Sequence, residues 1–312
     1  MQRKVIQHGP ATYIVSLPKT WVRKYDIQKG DDLNIFAQDN TLVISTEMRR
    51  RLKEVEVEIT GLDRSCILHV IRGLYRLGYD VINVKFSNPE TVYVRTGEVL
   101  PVSRVIHEEV NTLIGFEVIQ EDNNKCVIND LQETSGKDFD QVLRRIFLLL
   151  LDAYDSFAQG VKEGDKSKLR NVETTHGVIT KFVSYCLRLL NKKSHSDVQK
   201  TSYYYHSIAY LDRITDVLKY TARDIQKESK VTPEVAEIIK LVGENLNTYY
   251  KFFYTYSIDK ISKINADRYK AEDMLRALPD NTSTRNVIVA TSITSIMEMF
   301  VDLIEARTAI QY

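Results

Sequence analysis

The chain has 312 residues, of which 43% are hydrophobic and 27% charged, and its formal net charge is +1. That length fits two or three domains of an ordinary soluble globular protein. The near-neutral balance excludes attraction to nucleic acid through a whole-molecule field and leaves local charge asymmetry as its source.

Three cysteines, Cys66, Cys126 and Cys186, lie sixty residues apart and form no CxxC pair, which argues against a disulfide framework or a zinc knuckle. The longest apolar run, "IFLLLL" at 146–151, is far shorter than the roughly 20 residues a spanning helix needs. The opening residues are polar and basic without an apolar stretch of the signal-peptide kind, so a cytoplasmic protein with no membrane span is expected.

Residues 1–53 carry ten Lys/Arg against five Asp/Glu, a local charge of +5. Here Tyr13, Val15 and Leu17 alternate with Ile14 and Ser16 in the manner of a strand, and Pro18 cuts the alternation. "KTWVRKY" predicts one or two helical turns, "IQKGDD" a turn, and Leu33 to Phe36 and Leu42 to Ile44 two further strands. A module this small can hardly bury a core alone. "RRRLK" at 49–53 closes it as a basic linker.

Residues 54–134 predict a small α+β connector. "EVEVEI" has the period of a strand, Asp63 can cap the helix "RSCILHVIRGLYRL", Gly78 stops it, and "YDVINVKF" is the next strand. After "ETVYVRT" a second helix runs over Val102 to Ile114, and "GFEVIQ" and "KCVIND" flank a polar turn as a hairpin. A ferredoxin-like α+β sandwich fits this order.

From 135 to 312 the pattern is helical. Three long segments end near residues 164, 193 and 229, and three more follow, Glu234 to about Lys263, "DRYKAEDMLRAL" and a final helix after Thr282. Three and three, in a repeat of about ninety residues, predict two stacked three-helix bundles.

In the third helix of each repeat two carboxylates stand four residues apart, Asp212 with Asp216 and Glu298 with Asp302. Side chains at that spacing are neighbours, so each pair could present oxygen ligands to one hard cation. The competing reading is a solvated face, bridged in the first case to Lys219 or Arg223. The six histidines are scattered, and neither a G-x-S-x-G nucleophile nor a phosphate-cradling glycine loop occurs, so an enzyme is not expected.

The helical part resembles the PhoU family of phosphate-uptake regulators, whose third helices carry an E/D-x-x-x-D motif within a longer "ERIGD" pattern. "DRITD" at 212–216 keeps four of its five positions if Asp is allowed for Glu, and "EMFVD" at 298–302 keeps the two acids. The resemblance implies binding of iron or other divalent or ferric ions (Fe, Mn, Mg) at Asp212, Asp216, Glu298 and Asp302, with Glu173 and Asp267 as further ligands. It also implies partnership with components of a phosphate ABC transporter.

The opening stretch "KVIQHGPATYIVSLPKTWVRKYDIQKGDDLNI" is similar to the SpoVT-AbrB family of swapped-hairpin DNA-binding modules, with Ile27 in place of a leucine of the core motif. That resemblance implies a β-barrel interleaved from two chains, hence a homodimer or higher assembly. It further implies contacts with duplex DNA through Arg3, Lys4, Lys19, Arg23 and Lys24. The expectation is a multidomain α+β protein of three parts, 1–53, 54–134 and 135–312, acting as a phosphate-responsive regulator. The rival expectations are a metal-dependent phosphate-ester hydrolase in the helical part and an interaction scaffold without DNA binding.

Overall fold

A computed structural model describes residues 2–38, 41–46, 52–132, 139–193, 195, 197–226 and 231–312. The chain is a mixed α+β protein, with a small N-terminal β region followed by a mostly helical remainder. It divides into two compact units, Met1–Leu52 and Lys53–Tyr312.

In the first unit β1 (Ile6–Gln7) pairs antiparallel with β2 (Tyr13–Ile14), and β3 (Leu33–Gln38) pairs antiparallel with β4 (Thr41–Thr46). Pro18 occupies the cap position of α1 (Lys19–Lys24), where its missing N–H and fixed φ are compatible with a helix start. The two hairpins form separate two-stranded sheets, and the described residues of one chain close no barrel. The physical reason is size: a segment of about fifty residues supplies too few strands and too little apolar surface.

The second unit opens on a four-stranded sheet of order β5-β6-β10-β9. Its strands are β5 (Glu54–Glu58), β6 (Val81–Lys85), β9 (Phe116–Asp122) and β10 (Lys125–Asp130). The Asp63 carboxylate accepts from the Cys66 amide at 2.9 Å and starts α2 (Arg64–Leu77), while Gly78 at φ 94° ends it. A Cβ at Gly78 would lie 2.8 Å from Lys192 Cγ, so glycine is required there twice over. The βαβ unit differs from a ferredoxin-like sandwich, because β5 and β6 are immediate parallel neighbours and no strand is inserted between them. A second hairpin, β7 (Glu90–Tyr93) with β8 (Glu98–Pro101), precedes α3 (Val102–Val110). Ile67, Ile71 and Tyr75 of α2 pack with Val105 and Ile106 of α3 over Ile82, Val84, Cys126 and Ile128 of the sheet.

The helices that follow are α4 (Phe139–Glu163), α5 (Lys166–Lys193), α6 (Thr201–Gln226), α7 (Pro233–Tyr254), α8 (Ile258–Arg276) and α9 (Thr284–Gln311). The break after Tyr254 corrects the sequence expectation of one helix running to about Lys263: Ser257 sits at a cap position, and α8 restarts with Asp259 in its first turn. α4, α5 and α6 pack on one another, as do α7, α8 and α9, and the two sets meet along α6 with α9 and α4 with α7. One continuous core, including Phe147, Phe157, Leu211, Leu218, Tyr249 and Phe300, runs through all of them. α9 is long and apolar enough to cross a membrane by length and composition, but 44% of its apolar window is buried in this core.

α5 also packs against α2, which fastens the sheet layer to the helices. At that seam Arg188 lies between Asp130, at 2.6 Å, and the Tyr75 carbonyl, at 2.8 Å. Lys192 contacts Asp80 and, at 3.0 Å, Asp130. The guanidinium of Arg188 also sits 4.8 Å from the ring centroids of both Tyr75 and Phe116.

Candidate nucleic-acid interface and paired carboxylates

In the first unit α1 places Lys19 and Arg23 one turn apart, with Lys24 beside them, while Arg3 and Lys4 lie just before β1. All five are exposed, and among the described residues none of them forms an ion pair with a carboxylate. Lys24 does lie 5.4 Å from the ring centroid of Tyr25. Trp21 is half-buried against that same ring, at 5.6 Å between centroids. Exposed cations without carboxylate partners suit contacts with phosphate oxygens, which orient a protein on a duplex without reading its sequence.

The same unit exposes its apolar side chains. Ile6 and Ile14 face each other across β1 and β2 and are 62% and 44% exposed, and Val5, Tyr13, Val15, Ile35, Leu42 and Val43 are exposed as well. Among residues 2–35 and 41–44 of this unit none is buried. Apolar surface of this kind on a small module marks an interaction surface.

In the second unit the structure surrounds Asp212 and Asp216 with the protein's own donors. Arg76 of α2 donates to Asp212 Oδ2 at 2.9 Å, and Thr180 of α5 donates to Asp212 Oδ1 at 3.1 Å. Asp216 Oδ1 accepts from Lys219 Nζ at 2.6 Å and lies 2.9 Å from His176 Nε2, which is itself 3.0 Å from Lys219 Nζ. Arg223, the other expected bridge, pairs with Glu173 instead. Sequence spacing could indicate Lys219, one turn from Asp216, but not Arg76, which is 136 residues from Asp212.

The remaining expected ligands are dispersed. Glu298 is exposed and pairs with Arg268 at 3.4 Å, and Asp267 pairs with Lys263 at 2.9 Å. Asp302 accepts from the Tyr210 hydroxyl at 2.7 Å and lines an open cavity of about 520 Å³ with Tyr203, His206 and Glu305. Among the described residues no group of three or more His, Cys, Asp or Glu side chains is placed to share a metal ion. A resident ion does not fit at the first pair, where ammonium and guanidinium groups already take carboxylate oxygens that the ion would need.

Burial raises the Asp216 pKa, but hydrogen bonds from His176 and Lys219 and the charge of those groups outweigh it and hold the carboxyl well below the usual range. A depressed carboxylate contributes stability that is present above its unfolded value and is lost as pH falls through its folded one. Asp216→Asn is therefore expected to shallow the loss of stability between about pH 5 and pH 2. Urea unfolding at several pH values checks this, and parallel wild-type and variant profiles would refute it.

Residues 6–52 match the family model described as antidote-toxin recognition MazE, bacterial antitoxin. The match falls within the first unit and supports its reading as a SpoVT-AbrB-like module. No curated protein matches the chain.

Proposed function

We propose that this chain is a homodimeric DNA-binding regulator of phosphate uptake, with its output in the first unit and its input in the helical part of the second. The observation that carries the reading is the pairing, among the described residues of the first unit, of five exposed cations that have no carboxylate partner with apolar strand residues that one chain leaves exposed. Interleaving the hairpins of two chains into one barrel would bury those strands and double the cations by symmetry. The MazE match supports this, since modules of that kind dimerise and bind DNA.

The phosphate assignment rests on the PhoU-like "DRITD" at 212–216 and on the arrangement of α4–α6 and α7–α9 as two sets of three. In this reading the helical part docks on cytoplasmic components of the phosphate transporter, and the protein binds rather than catalyses.

The intact protein is expected to shift duplex DNA in a gel with steep salt dependence. Arg3→Ala with Arg23→Ala removes four phosphate contacts per dimer and should reduce the slope of log affinity against log salt by about 3–4 for all sequences alike. No shift by the intact protein at low salt would refute the DNA-binding reading. The pathway is tested separately by footprinting across the genome, which should recover regions upstream of phosphate-import genes.

A further inference from the structure

The paired carboxylates are the feature where motif and geometry disagree. Four of the five "DRITD" positions point to a metal, yet the structure places a guanidinium on one carboxylate and an ammonium on the other. The two cations have different origins. Lys219 belongs to α6 itself, one turn beyond Asp216, and is buried. Arg76 comes from α2 of the sheet layer, on the far side of the seam.

We infer that the Asp212/Asp216 pair receives the protein's own cations in place of a metal, and that the Arg76 contact makes it a joint between the sheet layer and the helices. Arg76 reaches across α5 to get there. Its Nη2 donates to Asp212 at 2.9 Å and lies 3.1 Å from Ser184 Oγ, while its Nε donates to the same hydroxyl at 3.2 Å. Asn191 of α5 then donates to the Arg76 carbonyl at 2.7 Å and so ties the last turn of α2 to the same helix.

On α5 the polar residues facing the pair stand at four-residue intervals, His176, Thr180 and Ser184, and each contacts a member of the set. A strip of polar side chains a little over two helical turns long thus runs between α2 and α6. A hard divalent ion entering here would have to displace both cations, leaving a partly buried guanidinium and a buried ammonium with only neutral partners, which is costly. The inference does not depend on the phosphate reading, because it concerns only what fills the pair and what the pair holds.

Two measurements on the full-length protein test it. In the first, Mn²⁺ is titrated and free ion is followed by electron paramagnetic resonance. The wild-type protein should take up no Mn²⁺ at this pair, and Arg76→Ala with Lys219→Ala should gain one site per chain, since two carboxylates are then left without their cations. Wild-type uptake that Asp212→Asn with Asp216→Asn abolishes would overturn the inference. In the second, amide exchange is compared between wild type and Asp212→Asn, a variant that retains the shape of the side chain and needs no metal. Exchange in the last turn of α2 should rise about tenfold or more as the charge-assisted contact is lost. Unchanged exchange there would overturn the joint, even if the double cation variant failed to fold.

Discussion

Arg188→Ala is expected to destabilise the second unit by about 3–5 kcal/mol, the largest loss of any single substitution at the seam between the sheet layer and the helices. Arg188 is fully buried and meets Asp130 at 2.6 Å, with Asp80 at 3.7 Å and Lys192 completing the cluster. Within this set two cations face two carboxylates, so removing Arg188 leaves two buried carboxylates to share the single charge of Lys192. The Tyr75 carbonyl also loses its donor, and the rings of Tyr75 and Phe116 lose the guanidinium they flank. Arg188→Met keeps much of the volume and should lose nearly as much, because the cost comes from the stranded charge rather than from a cavity. Adding Asp130→Asn to either variant should restore part of the loss, which a double-mutant cycle by urea unfolding would read. A loss under about 1 kcal/mol for Arg188→Ala would mean that water reaches the carboxylates and that the cluster is not a dry one.

Elements whose signals are local were legible in the sequence. Asp63 and Gly78 bracket α2 where the sequence places them, because a cap and a left-handed stop act on the backbone within one turn. The β9–β10 hairpin was legible for the same reason, two apolar runs around a polar turn. α3 ends at Val110, sooner than Ile114, and the residues after it form turns that lead to Gly115 at φ 86°. β8 was not legible, since "EVLP" is too short to show a period and depends on pairing with β7. Nor was the break at 255–257, because apolar positions recur on both sides of it and only Ser257 with Asp259 signals a restart.

The site shows the same division. The i,i+4 placement of Asp212 and Asp216 follows from helix geometry and could be read from spacing, whereas their partners could not, since α2 and α5 supply them by tertiary packing. A carboxylate pair in a sequence therefore defines a demand for positive charge and not its source. Here the source includes a residue of a different layer. The basic cluster of the first unit was more legible, because the excess of Lys and Arg is confined to residues 1–53 and exposure is the ordinary condition of such residues.

Ile14→Asp is expected to separate the chains at the first unit and to abolish DNA binding together with it. Ile14 faces Ile6 across the β1–β2 pair, and both are largely exposed in a single chain. If a partner chain covers Ile14, which is 44% exposed, each substituted chain loses somewhat under half the burial of an isoleucine, about 0.7–1.3 kcal/mol, and two chains lose twice that. The dimer constant should therefore weaken by about tenfold to a hundredfold, and by more once the cost of bringing carboxylates into the apolar interface is added. All five cations remain in the variant, and Ile14→Asn, which adds no charge, separates the loss of paired phosphate contacts from the repulsion added by the new carboxylate. Light scattering on the full-length wild type should give about twice the chain mass of 36.1 kDa at micromolar concentration. The helical part could hold two chains together by itself, so the gel shift is the discriminating measurement. An Ile14→Asp protein that binds duplex DNA with wild-type affinity and salt slope would show that the exposed strands are not the interface on which the DNA-binding surface is built.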